Sequence, residues 1–196
     1  MISARSAIAV FGSIGAAVLH DCSALLPTEF GTTAPYAPRS ASAQRAASVA
    51  GARSITVSGV GTDGLTTAVV HSTKATPTGM IRTSTEIIEL SGDLKGRVLY
   101  HVTTVLDTVR GTLVNTGDQV YSGTVAGSAP VMLHDDRFHF EVDLKTGQER
   151  GRVYLLDRIA GPNVRCTLDV VGTGLNAQGN PTFTYRGACT FAEGRP

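Results

Sequence analysis

The chain is expected to fold as an all-β domain: an antiparallel up-and-down barrel of about eight strands, with a two-sheet sandwich as the alternative. Three observations predict this. From Ser54 onward, short runs rich in Val, Thr and Ile alternate between apolar and polar residues, as half-buried strands do. Gly-, Asn- and Asp-containing turns separate the runs at hairpin spacing. No run of helical period interrupts them, which argues against a βαβ domain. Closure into a barrel removes both sheet edges, whereas a sandwich needs longer crossover connections than the turns supply.

The first 24 residues read as a secretory leader. A weakly positive start precedes Ala7–Leu19, apolar except for Ser13 and too short to anchor stably across a bilayer. The small residues of Cys22-Ser23-Ala24 place cleavage after Ala24. Lipid attachment at Cys22, three residues after Leu19 but beside an unfavourable Asp21, is one variant. A retained apolar helix is another. Export implies an extracytoplasmic location, secreted or in the periplasm or cell envelope, and an oxidising one. Residues 25–53 are rich in Ala, Ser, Pro and Thr and contain Pro27, Pro35 and Pro38, so they read as a flexible segment. The folded domain then covers 54–196.

Within it, Ser54–Val60 and Leu65–His71 read as strands, and Ser72–Thr78 as a loop. Met80–Leu90 and Gly96–Leu106 read as a pair joined at Gly92-Asp93. A two-residue turn there would mix the faces of Ile87, Ile88, Val98 and Leu99, so a bulge is expected. Val109–Val114 extends the sheet, Asn115–Asp118 reads as a turn, and Gln119–Ala126 and Val131–Leu133 as further strands.

Two hairpins carry enough signals to set a register. In Arg137–Asp157, a turn centred on Thr146-Gly147 places Asp143 opposite Arg150, Glu141 opposite Arg152 and His139 opposite Tyr154. Phe138 then meets Leu155, Phe140 meets Val153 and Val142 meets Gly151 on the other face. One face is apolar and one charged, the pattern of a sheet with one side in the core. In Val164–Phe191, a turn centred on Ala177-Gln178 places Cys166 opposite Cys189, Asp169 opposite Arg186 and Val170 opposite Tyr185. Directly opposed antiparallel residues come within disulfide reach, so a Cys166–Cys189 bond is expected if the chain is exported. Leader removal would also reduce the three cysteines to two.

The glycine-punctuated strands ending in GTGLNAQGNPTFTYRGACTF resemble small barrels of the lipocalin, dirigent and allene oxide cyclase families. Gly172-Thr173-Gly174, Gly179 and Gly187 are the positions that carry this resemblance. It implies a barrel holding an apolar small molecule, either as a carrier or as an enzyme guiding coupling or ring closure. The lipocalin opening motif with its tryptophan is missing, since the chain has no Trp.

Chemistry is harder to read. A net charge of +1 and the absence of any long basic run provide no electrostatic footprint for nucleic acid. No HExxH, paired-cysteine or G-x-S-x-G motif occurs. His134, Asp135, Asp136 and His139 cluster locally, but a solvated turn explains them and no metal or cofactor is expected. An enzyme would draw on His139, Tyr154, Glu141 and Arg152, provided the charged face points inward. If instead that face is outside, Phe138, Phe140, Leu155, Val170, Phe183 and Tyr185 line an apolar interior, and Tyr185, Tyr100 or Tyr121 supplies polar contacts. The expected role is therefore non-catalytic binding of an apolar small molecule. The alternatives are a cyclase- or isomerase-like enzyme and a structural surface protein.

Overall fold

The computed structural model describes residues 52–192. The leader and nearly all of the 25–53 segment lie outside the described residues. Eleven strands form one antiparallel sheet. In chain order they are β1 (Arg53–Asp63), β2 (Val69–Thr76), β3 (Gly79–Gly92), β4 (Leu94–Asp107), β5 (Thr112–Val125), β6 (Val131–Asp135), β7 (His139–Asp143), β8 (Gln148–Leu155), β9 (Asp157–Ala160), β10 (Val164–Leu175) and β11 (Pro181–Phe191). A 3-10 turn, Leu65–Thr67, follows β1.

Eight of these strands close a ring. The order β1-β11-β10-β8-β7-β5-β4 continues through β3 and returns to β1. Strands β2, β6 and β9 are extra: β2 adds to the first half of β3, β6 to the second half of β5, and β9 to β6. Closure depends on β1, which pairs with β11 along its length and with β3 through Gly59–Asp63.

The β10–β11 register is the one the turn and charge signals predict, with Cys166 opposite Cys189, Asp169 opposite Arg186 and Val170 opposite Tyr185. A bulge at Thr173 adjusts the ladder as it enters the loop. Cys166 and Cys189 are disulfide-bonded, with Cα atoms 4.1 Å apart. Asp169, however, takes its ion pair from the other neighbour: Arg152 Nε donates to Asp169 Oδ1 at 2.9 Å.

The β7–β8 hairpin corrects its expected partners. The pairs are His139–Arg152, Phe140–Gly151, Glu141–Arg150 and Val142–Glu149, two residues from the expected register. Asp143 moves the turn. Its Oδ1 accepts the N–H groups of Lys145 and Thr146, and its carbonyl accepts that of Gly147, which sits at φ +72°. The loop is therefore centred one residue earlier. Because strand side chains alternate with period two, a two-residue slip changes every partner and leaves each face intact.

The β3–β4 pair corrects the expected bulge. Its register runs without a shift from Gly79–Asp107 to Leu90–Gly96. The turn has three residues centred on Asp93, with Gly92 at φ +104°, so the faces sort themselves. Ile88 and Val98 point inward, while Ile87 and Leu99 lie exposed outside. Asp93 anchors this turn to β1: its N–H donates to Ser58 O, and its Oδ2 accepts Ser58 N–H at 2.7 Å. Asn115–Asp118, expected as a turn, is continuous strand inside β5, with Gly117 passing close to the His101 carbonyl. The second expected strand shifts too: its first residues form the 3-10 turn, and β2 runs through the expected loop to Thr76.

One end of the barrel is plugged. Val57, Leu94, Val125, Leu133, Val164 and the disulfide are fully buried there. Asp135 braces this end from within, accepting hydrogen bonds from Gln119 Nε2, Tyr154 N and Arg137 N at 2.7–2.9 Å. The disulfide closes a loop with a sequence separation of 23. Chain-entropy arguments give about 3 kcal/mol for a loop of that size. Reduction, or the double substitution Cys166→Ala/Cys189→Ala, is expected to lower unfolding stability by about that amount in denaturant titration.

Candidate functional site

The other half of the barrel is hollow. A cavity of about 230 Å³ lies between the walls, and Phe138, Phe140, Leu155, Val170, Phe183 and Tyr185 all line it. Two glycines on β1 make room for the largest rings. Val57, Gly59, Gly61 and Asp63 alternate inward. The Tyr185 ring lies across Gly59 and the Phe183 ring across Gly61, each where a β-carbon would stand. Gly151 makes the same allowance for Phe140. Phe138 packs against Tyr100 with ring centroids 4.8 Å apart. The cavity reaches solvent beside Leu175, a lining residue that is 59% exposed. There the 3-10 turn and the β10–β11 loop are joined by Thr66 N–H donating to Asn180 Oδ1 at 3.0 Å.

The tyrosines divide differently from expectation. Tyr185 donates its hydroxyl to Ser91 O and accepts Leu94 N–H at 2.8 Å, so that group is committed to the β3–β4 turn. Tyr121 donates to Thr124 O at 2.7 Å. Of these three tyrosines, Tyr100 is the one left to offer its hydroxyl on the cavity's polar wall.

That wall is the feature sequence reasoning missed. Arg82, Ser84 and Glu86 on β3 have the same inward parity as Ile88, and Asn115 on β5 has that of Tyr121. Asp63 ends the inward series of β1. Glu86 is buried and accepts Ser84 Oγ at 2.6 Å and Arg82 Nη2 at 3.1 Å. Burial, and then the neighbouring Glu86 carboxylate, push Asp63 up from 3.8 to about 8, against the pull of Arg82. Asp63 therefore favours its protonated form at neutral pH. Burial also raises Tyr100 well above the ordinary phenol value, helped by the Asp63 and Glu86 charges and opposed by a hydrogen bond from Asn115. Across the cavity, burial raises Glu149, which lies over Gly172. Three buried polar atoms have no hydrogen-bond partner among the described residues: Asp63 Oδ1, Arg82 Nε and Asn115 Oδ1. All three residues line this cavity, and each such atom costs about 1–3 kcal/mol.

The nominated acid–base set lies on the other side of the wall. The side chains of His139, Glu141 and Arg152 are 53%, 40% and 54% exposed. His139 faces Arg152 rather than Tyr154, and Tyr154 lies under the Arg137 guanidinium at 5.6 Å. His139 and Arg152 still border the cavity, as the residues paired next to Gly151 on β7 and β8. The expected local cluster also comes apart. Asp135 is buried as a brace, whereas His134 points outward and bonds Asp118 at 2.6 Å, which raises its pKa. No group of His, Cys, Asp or Glu among the described residues is placed to hold a metal ion.

Fold and site together define a closed eight-stranded barrel with a part-aromatic, part-ionisable cavity. Comparison with family models, curated proteins and solved structures gives no match. No helix among the described residues is long and apolar enough to cross a membrane.

The buried carboxyl has a measurable consequence. Between pH 3.8 and about 8 the folded chain holds a proton on Asp63 that the unfolded chain releases. Stability attributable to this group is thus highest at the acid end and falls as pH rises through that window. Glu149 contributes with the same sign. Asp63→Asn replaces the carboxyl with a neutral group of the same shape that does not titrate. It is expected to raise the thermal midpoint at pH 8 relative to the parent and to leave it little changed at pH 4, flattening the profile in calorimetry.

Proposed function

We propose that this protein is a non-catalytic small-molecule-binding barrel, acting outside the cytoplasm, whose ligand has a compact apolar body. The observation that supports this reading most directly is the cavity of about 230 Å³ walled by Phe138, Phe140, Phe183 and Val170. A packed core would leave no such space, and interiors of this kind are usually filled. The volume is below the usual range of drug-sized sites, about 300–1,000 Å³, so the ligand is small. A disulfide and the leader-like N-terminus fit an exported carrier, the role that lipocalin resemblance implies.

A second reading, cyclase- or isomerase-like chemistry, is favoured by one observation only: the protonated Asp63 carboxyl and the Tyr100 hydroxyl share one wall. Such donors could polarise a substrate carbonyl. His139 and Tyr154 would have no part in it.

The binding role is tested with phenylnaphthylamine, an uncharged apolar fluorophore, titrated into the oxidised full chain. Saturable one-to-one binding is expected. Val142→Trp, which places an indole in the cavity, is expected to weaken it at least about tenfold while the fold persists by circular dichroism. Absence of saturable binding, or equal binding by Val142→Trp, would contradict the role.

A further inference from the structure

Of the carboxylates that line the cavity, Glu149 has no cation beside it. It shares the inward parity of Gly151 on β8, and its partner on β7 is Val142. Its side chain lies where a β-carbon at Gly172 would stand, and Gly172 in turn pairs with Phe183. Gly172 thus leaves room for this carboxylate among apolar neighbours. Glu149 makes no hydrogen bond or ion pair among the described residues, and burial alone raises its pKa. Asp63 Oδ1, Arg82 Nε and Asn115 Oδ1 are sealed off by neighbouring atoms, whereas Glu149 is only half-buried. Along the β10–β11 ladder, the Gly172–Phe183 pair falls between Val170–Tyr185 and the Leu175–Pro181 pair beside the mouth. Glu149 is therefore reachable from the cavity.

The other charges of the lining do not answer it. Arg82 is held by Glu86 at 3.1 Å. Arg152 is held by Asp169 at 2.8 Å on the outer face, where His139 also lies 4.0 Å from Glu141. Asp63, protonated or ionised, brings no cation. An apolar body entering this space takes water from Glu149, which is unfavourable unless a positive group replaces that water. A ligand carboxylate would add a second negative charge with no free cation to meet it.

We propose that the ligand of this cavity carries an ammonium group on its apolar body, and that Glu149 receives that group near the mouth. This inference rests on the binding role proposed above and names the charge class of its ligand. The ammonium donates to the Glu149 carboxylate in a charge-assisted hydrogen bond and keeps part of its hydration toward the opening. The apolar body lies deeper, against Phe138 and Phe183.

The test uses three compounds with one naphthyl body, titrated calorimetrically into the oxidised full chain at pH 7 and low ionic strength: naphthylmethylamine, naphthylmethanol and naphthoate. The amine, a cation at this pH, is expected to bind at least about fivefold more tightly than either of the others. Glu149→Gln keeps the shape and removes the charge. Loss of an unpaired, half-buried charge is not expected to harm folding, which circular dichroism checks. In this variant the amine is expected to bind no more tightly than the alcohol. A second measurement needs no variant: the amine preference of the parent chain is expected to narrow as salt is raised. Equal affinity for the three compounds, or preference for the alcohol or naphthoate, overturns the ammonium inference; if phenylnaphthylamine still saturates, the binding role stands. Failure of phenylnaphthylamine itself overturns the binding role and this inference with it. An amine preference that persists undiminished in folded Glu149→Gln, or that salt does not change, overturns the assignment of Glu149.

Discussion

Everything in this barrel depends on β1 being held between two partners. Its pairing with β11 extends a hairpin that could stand in an open sheet. Its pairing with β3 through Gly59–Asp63 is what closes the ring. Closure pairs the β1 and β3 edges that an open sheet would leave bare, so only the added strands β2 and β9 keep an edge. It also encloses a volume, and the same five residues decide what fills it. Gly59 and Gly61 leave the space taken by the Tyr185 and Phe183 rings, and Asp63 follows as the next inward residue. An aromatic lining and an ionisable wall are therefore products of one strand.

The interior is divided along the barrel. Where the plug lies, buried polar groups are fully used: Asp135 has three donors, and the Tyr121 and Tyr185 hydroxyls are tied to backbone. In the hollow half, polar atoms are buried and unmatched. Evenly distributed, such groups would suggest a poorly satisfied interior. Their concentration in one wall, opposite an apolar one, gives the cavity a polarity and an orientation. The low dielectric that makes the unmatched atoms costly also pushes the Asp63 carboxyl up.

How much of this could be read from the sequence depended on register. The β10–β11 hairpin was legible because the turn at Asn176–Gly179, the cysteine pair and the Asp169–Arg186 opposition agree on one alignment. In β7–β8 only the faces were legible. Asp143 could cap a turn one residue earlier than Thr146-Gly147 suggests, and a two-residue slip is invisible to an alternation pattern. The polar wall was hidden for a different reason. With the β3–β4 turn undetermined, Arg82 and Glu86 could face either way. Once Asp93 centres that turn, Ile88 and Val98 fix the parity, and both charged residues fall inside with them. Asp63 had no sequence signal beyond its place after Gly59 and Gly61. Residues that looked chemical, His139 and Glu141, had the opposite parity to two phenylalanines and so lie outside.

The most direct test of this account is whether β1 touches both neighbours at once in solution. In nuclear Overhauser spectra of the oxidised full chain, backbone protons around Gly61 should give cross-strand contacts to Phe183 on β11 and also to Leu90 on β3. Both sets together are what a closed ring requires. Contacts to Phe183 with none to Leu90 would mean an open sheet, in which Asp63 is solvated and the cavity does not exist.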